Sequence, residues 1–210
     1  MQRTATILKA VLSSTPLLYL ALLWPGRSAF RGLWVSDSYY PSLMYDSGIW
    51  SVWLLIVTLS ITPVLLLINR LGRGQGLGRW LLRARRHAGL ASALFAGLHL
   101  WYYVVEMGTL GSIVFDLRYL EYVVGWISFA LLTALALTSN AWSVKRLGRR
   151  WKRLHLMVYP VGVLALWHWY LFDWYTGRVL FWCAVFAAPL LIRPLLRRMP
   201  RLIRRDPSPS

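Results

Sequence analysis

The chain has 210 residues, 58% of them hydrophobic, with 13 tryptophans and a formal net charge of +17. So apolar a composition excludes an ordinary soluble domain. The basic residues lie in clusters between apolar stretches, the pattern of membrane-flanking loops rather than of a nucleic-acid-binding face, so no nucleic-acid partner is expected.

Six stretches approach the length of about 20 apolar residues that a bilayer crossing needs. In chain order they are Ile7–Trp24, Ile49–Ile68, Ala88–Val105, Tyr122–Leu137, Leu154–Phe172 and Val179–Leu196. The first has Arg3 and Lys9 at its head, as a signal peptide would, but Pro25-Gly26-Arg27 follows it in place of a small-x-small cleavage site, so a retained helix is expected. Pro63 predicts a kink in the second. Residues 198–210 form a basic tail ending in Asp206-Pro-Ser-Pro-Ser210, expected to be disordered. No internal repeat is evident. The expected fold is therefore an all-α integral membrane protein, a bundle of about six transmembrane helices, with residues 1–210 forming a single transmembrane domain.

Charge gives the orientation. Arg70, Arg73, Arg79, Arg83, Arg85 and Arg86 precede the third stretch; Lys145, Arg146, Arg149, Arg150, Lys152 and Arg153 precede the fifth; Arg193, Arg197, Arg198, Arg201, Arg204 and Arg205 crowd the C-terminal end. The intervening loops hold six of the seven acids: Asp37, Asp46, Glu106, Asp116, Glu121 and Asp173. By the positive-inside rule both termini are cytoplasmic, and the third and fifth helices run outward.

Four histidines complete the pattern, and they fall in two pairs: His87 with His99, and His155 with His168. The members of each pair are separated by roughly 18 and 19.5 Å of helix at about 1.5 Å per residue. Given the orientation, His87 and His155 share the cytoplasmic level and His99 and His168 the outer one. An ionisable side chain inside a membrane helix is costly and is a functional candidate by default. A lone membrane histidine is more often a hydrogen-bonded structural residue; four at matched depths point to haem held between helices, as one haem b or two. Cys183, the only cysteine, rules out a disulfide framework, a Cys-x-x-Cys redox pair and covalent c-type attachment. Neither pair shares one face of an ideal helix, since twelve residues advance about 120° and thirteen about 220°. A break near Pro160, or different partner helices at the two levels, would resolve the phase. His87, at a helix entrance, could instead face lipid headgroups.

Trp101, Tyr102 and Tyr103 follow His99, and Trp167, Trp169 and Tyr170 surround His168; an interfacial aromatic belt accounts for most of them. Gly97, Gly125 and Gly162 allow close packing of helices or of a macrocycle. There is no Gly-rich dinucleotide fingerprint and no Walker loop. The chain has no catalytic residue of its own to name.

Leu137-Thr-Ser-Asn140, then Arg146-Leu-Gly-Arg-Arg-Trp-Lys-Arg-Leu-His155, Val158-Tyr159 and His168 resemble the haem-binding membrane subunit of the bacterial protein-methionine-sulfoxide reductase system, the MsrQ type. Arg85-Arg86-His87-Ala-Gly-Leu90 with Leu98-His99 is similar to its third-helix motif, and Ile61-Thr-Pro63 to its second. The resemblance spans about residues 45–195, within the wider ferric-reductase-like transmembrane group. It implies a multi-pass protein of the bacterial inner membrane that takes electrons from quinol and passes them to a periplasmic molybdopterin-containing subunit, which reduces methionine sulfoxide in oxidised proteins. It implies haem ligation by His99, His155 and His168, and an association with FMN for which no motif here gives a location. The family pattern does not require His87; a second bis-histidine haem using it follows from the spacing.

On this basis the chain is an electron-transfer subunit rather than a stand-alone catalyst. Two other readings remain open. One is a metalloreductase reducing ferric or cupric ions at the outer face. The other is a transporter using its histidines as proton relays, which would be colourless and show inverted-repeat symmetry.

Overall fold

The computed structural model describes residues 23–24, 26–27, 40–70, 77–173 and 176–198. The helices are α1 (Tyr40–Arg70), α2 (Leu77–Met107), α3 (Leu110–Asp116), α4 (Leu120–Leu137), α5 (Ala141–Leu147), α6 (Arg149–His155), α7 (Val158–Phe172) and α8 (Thr176–Arg198). Five segments are long and apolar enough to cross a membrane, with α6 and α7 counted together. The chain is thus an all-helical, multi-pass membrane protein. The span expected over Ile7–Trp24 lies, but for its last two residues, outside the described residues.

The helices outrun the apolar stretches that mark them. α1 has 31 residues, roughly 46 Å at about 1.5 Å per residue, against about 30 Å of hydrocarbon. Its first turns, from Tyr40 to Gly48, are helical but not strongly apolar. α2 likewise begins among the arginines ahead of Ala88. Pro63 is accommodated inside α1, and Pro189 and Pro194 inside α8.

Cross-helix contacts fix the architecture. Met44 meets His99, Ser51 meets Ser92 and Thr62 meets Arg85, so α1 and α2 are antiparallel. Glu121 meets His168 and Ser128 meets Val161, so α4 and α7 are a second antiparallel pair. α8 packs along α1 and α7, and α2 touches α4. Buried Leu55, Ile56 and Leu59 of α1 form one core with Leu132 and Leu135 of α4, Val161 of α7 and Phe186 of α8. A second core joins Leu54 of α1 to Ala91, Phe95 and Tyr102 of α2.

Between lipid-facing helices there is little hydrophobic drive, so close packing and interhelical hydrogen bonds carry association. Ser51 and Ser92 are both buried, and each hydroxyl donates to the other's backbone carbonyl, at 3.0 and 2.8 Å. The ring of Phe186 occupies the space a side chain would need at Gly162, where a β-carbon would lie 2.2 Å from it.

The turn between α4 and α7 shows what the Leu137-Thr-Ser-Asn140 motif does. Asn140 caps α5: its Oδ1 accepts from the Ser143 amide at 2.8 Å and its Nδ2 donates to the Leu137 carbonyl at 2.7 Å. Gly148 joins α5 to α6 at φ +50°, ψ −120°, a conformation that an L side chain would strain. Trp151 Nε1 then donates to the Thr138 carbonyl at 2.9 Å, closing the turn.

Candidate functional site

The structure brings His99 and His168 together, with ring centroids 6.0 Å apart and planes at 89°. His99 comes from α2 and His168 from α7, the second helix of each antiparallel pair. Both are held by the same local device. His99 Nδ1 donates to the Met44 carbonyl at 2.7 Å, and His168 Nδ1 donates to the Glu121 carbonyl at 2.7 Å. A carbonyl can only accept, so each ring carries its proton on Nδ1 and directs an Nε2 lone pair elsewhere. Four residues after each acceptor carbonyl stands a glycine, Gly48 or Gly125. A β-carbon at Gly48 would lie 3.0 Å from His99 Nδ1, and one at Gly125 would lie 2.7 Å from His168 Cε1. The two glycines give the rings room to reach the backbone.

This arrangement fits a haem: His99 and His168, close together with Nδ1 of each committed to a carbonyl, are the residues that would hold its iron through Nε2. A backbone acceptor on the remote nitrogen is also the usual way a ligating imidazole is oriented and made more basic. No group of three or more His, Cys, Asp or Glu among the described residues could hold a bare metal ion.

His155 is held differently. Its ring stacks on Trp151 with centroids 3.9 Å apart and planes at 26°. Nδ1 reaches the Trp151 carbonyl at 3.2 Å, and Nε2 lies 3.3 Å from Ser139 Oγ. The antiparallel registers put His155 and the His87 region of α2 toward the end of the bundle opposite His99 and His168. The helix does break between His155 and His168, at Leu156-Met157, just ahead of Pro160. Proline has no amide hydrogen and its ring collides with the carbonyl four residues back, here that of Leu156, so α7 starts afresh at Val158.

The aromatics near the histidines divide into two groups. Trp101, Trp167 and Tyr170 are exposed on the bundle surface, whereas Tyr102, Tyr103 and Trp169 are buried. Tyr103 donates to Asp116 Oδ2 at 2.8 Å, and Trp169 Nε1 to Asp173 Oδ2 at 3.1 Å. From His168 a series of rings leads outward: Phe172 at 5.1 Å, Tyr122 at 5.2 Å from Phe172, Tyr119 at 6.4 Å from Tyr122, and Phe115 at 6.1 Å from Tyr119. Tyr119 and Phe115 are exposed. Gly97, which the sequence offered as a close-packing position, has nothing within 4 Å of a β-carbon built on it.

Sequence reasoning missed Gly48 and did not connect Gly125 to a histidine. The common signal, a backbone acceptor with glycine four residues on, is present in Met44-Tyr-Asp-Ser-Gly48 and Glu121-Tyr-Val-Val-Gly125. It becomes readable only once the partner helices are known.

Comparison with known proteins agrees with this architecture. The family described as ferric reductase like transmembrane component matches residues 47–166. Proteins named protein-methionine-sulfoxide reductase heme-binding subunit MsrQ, from Brucella ovis, Brucella canis and Brucella suis, are each 38% identical over 164 residues, covering 74% of this chain and 70% of theirs. No solved structure matches. With the family match running over more than half of its length and reaching both Gly48 and Gly125, the chain belongs to the ferric-reductase-like transmembrane family, among the MsrQ-type subunits.

Proposed function

We propose that this chain is a b-type haem electron-transfer subunit of a bacterial inner-membrane methionine-sulfoxide reductase system. The observation that carries this reading is the facing of His99 and His168 at 6.0 Å, each with Nδ1 committed to a backbone carbonyl. Bound haem would supply a one-electron ferric/ferrous couple, and two histidine ligands leave it no open position for oxygen. The chain's own part is to hold both rings at fixed depth, keep their protons on Nδ1 and surround them with apolar side chains.

His155, with His87 as its partner, forms the second level of the pathway and would carry a second haem. Under the positive-inside rule the end bearing Asp46, Glu106, Asp116, Glu121 and Asp173 faces the periplasm and both termini face the cytoplasm. Electrons then enter from the quinone pool and leave beside His168. The rings of Phe172, Tyr122, Tyr119 and Phe115 favour an exit at α3. The acceptor is a periplasmic molybdopterin-containing catalytic subunit that reduces methionine sulfoxide in oxidised proteins. FMN belongs to this reading only through the family resemblance.

Purified protein should show a reduced-minus-oxidised b-type spectrum, which H99A and H168A should each largely abolish. A folded preparation without haem would sink the proposal. A pyridine haemochromogen assay per polypeptide separates one haem from two, and H87A tests the second site.

A further inference from the structure

At the end of the bundle opposite His99 and His168, two arginines lie within membrane spans. Arg85 belongs to the span Trp80–Met107 and Arg193 to Gly177–Leu196. Arg85 donates to Thr62 Oγ1 of α1 at 3.2 Å, and Arg193 donates to the Tyr159 hydroxyl of α7. Arg85 is also within electrostatic reach of both Tyr159 and Arg193, so residues of α1, α2, α7 and α8 converge on one locality. The Arg193 Nε atom is buried and has no hydrogen-bond partner among the described residues.

Neither arginine has an acidic partner among the described residues. The described acids, Asp46, Glu106, Asp116, Glu121 and Asp173, all lie toward the other end of their helices. Arg193 lies inside an apolar stretch and Arg85 at the cytoplasmic edge of one, and two neighbouring guanidinium groups without a counter-charge are costly; such groups pair with an anion or face a polar cavity. Every protein group here can donate: two guanidinium forks and two hydroxyls. That set matches an oxyanion, which arginine grips through paired N–H contacts. Basic pockets between helices at this level are typical seats for acidic headgroups.

We propose that Arg85 and Arg193, with the hydroxyls of Tyr159 and Thr62, form a binding site for an oxyanion carried by a membrane-embedded molecule. The place of the site among the basic residues at this end of the bundle, Arg83, Arg86, Arg197 and Arg198 included, favours the phosphate of an acidic phospholipid. The carboxylate or phosphate of a bound cofactor is the other source of the same chemistry.

The test uses the full chain reconstituted in nanodiscs of phosphatidylglycerol or of phosphatidylcholine, with retained lipid counted by native mass spectrometry and haem and flavin content read from the same samples. R85Q/R193Q removes the site. R193K keeps the charge but loses the fork, and guards against misfolding of the double variant. R198Q, with its charge beyond the span on exposed α8, is the charge control. Wild type and R198Q should retain phosphatidylglycerol selectively; R85Q/R193Q and R193K should retain about tenfold less, the loss expected from one charge-assisted contact. Unchanged lipid retention with lost cofactor, or with a shifted haem midpoint potential, assigns the oxyanion to the cofactor and still supports the site. If R193K and R85Q/R193Q match R198Q in lipid, cofactor content and potential, the proposal is overturned.

Discussion

Gly125 lies under the imidazole of His168, so close that a β-carbon there would stand 2.7 Å from Cε1 and 2.8 Å from Nδ1. The colliding atoms belong to a rigid ring tied to the Glu121 carbonyl, so the ring rather than the methyl must move. G125A should therefore lose most of the haem held by His99 and His168 while the helices remain folded. G97A, which adds its methyl to open space, should keep full haem content. Haem per polypeptide on monodisperse fractions measures both. Equal content in the two variants would remove the glycine from the site.

The ring planes of His99 and His168 are perpendicular, at 89°. Crossed imidazoles split the iron d orbitals less than parallel ones do. The oxidised haem should thus give the large-gmax type of low-spin electron paramagnetic resonance signal, not the ordinary rhombic one. Converting His168's partner geometry through G125A should broaden or abolish that signal.

Pro160 tests the other level. In P160A the collision with the Leu156 carbonyl disappears and α6 can run on into α7. Thirteen uninterrupted residues would then set His155 about 220° in helical phase from His168. Haem stoichiometry should fall while the signal of the His99/His168 haem persists. Retention of both haems at unchanged potentials would show that the break does not set the orientation of His155.

The Ser51–Ser92 exchange is expected to contribute to stability, not to electron transfer. S51A and S92A should each destabilise the α1–α2 pair by about 1 kcal/mol in a detergent unfolding titration. A double-mutant cycle should show the two changes to be coupled. Strictly additive effects would mean that the two bonds do not act as a unit.

Much of this was legible from the sequence because the bilayer imposes one simple rule, a long apolar run for each crossing. Charge and spacing together put His99 and His168 at one level, and the structure adds that their rings face each other. What the apolar runs could not show were residues past the hydrocarbon boundary. Helix α1 starts at Tyr40, ahead of the apolar run beginning at Ile49, so Gly48 fell just outside it. The position of the break was only partly readable: Pro160 flagged it, but its location at Leu156-Met157 depends on which carbonyl the proline ring meets. Burial around the histidines was also mixed, since Tyr103 and Trp169 find carboxylates to bond and turn inward while Trp101, Trp167 and Tyr170 face outward.

Each facing histidine takes its backbone support from the helix it is already paired with: His99 from α1, His168 from α4. Each hairpin can therefore orient its own ligand before the two hairpins meet. A prosthetic group gripped by both rings would act as the rivet between two preassembled halves. Loading would then belong to the assembly of the protein, at a moment when the halves can still part, and its loss would loosen the seam between hairpins while leaving each hairpin intact.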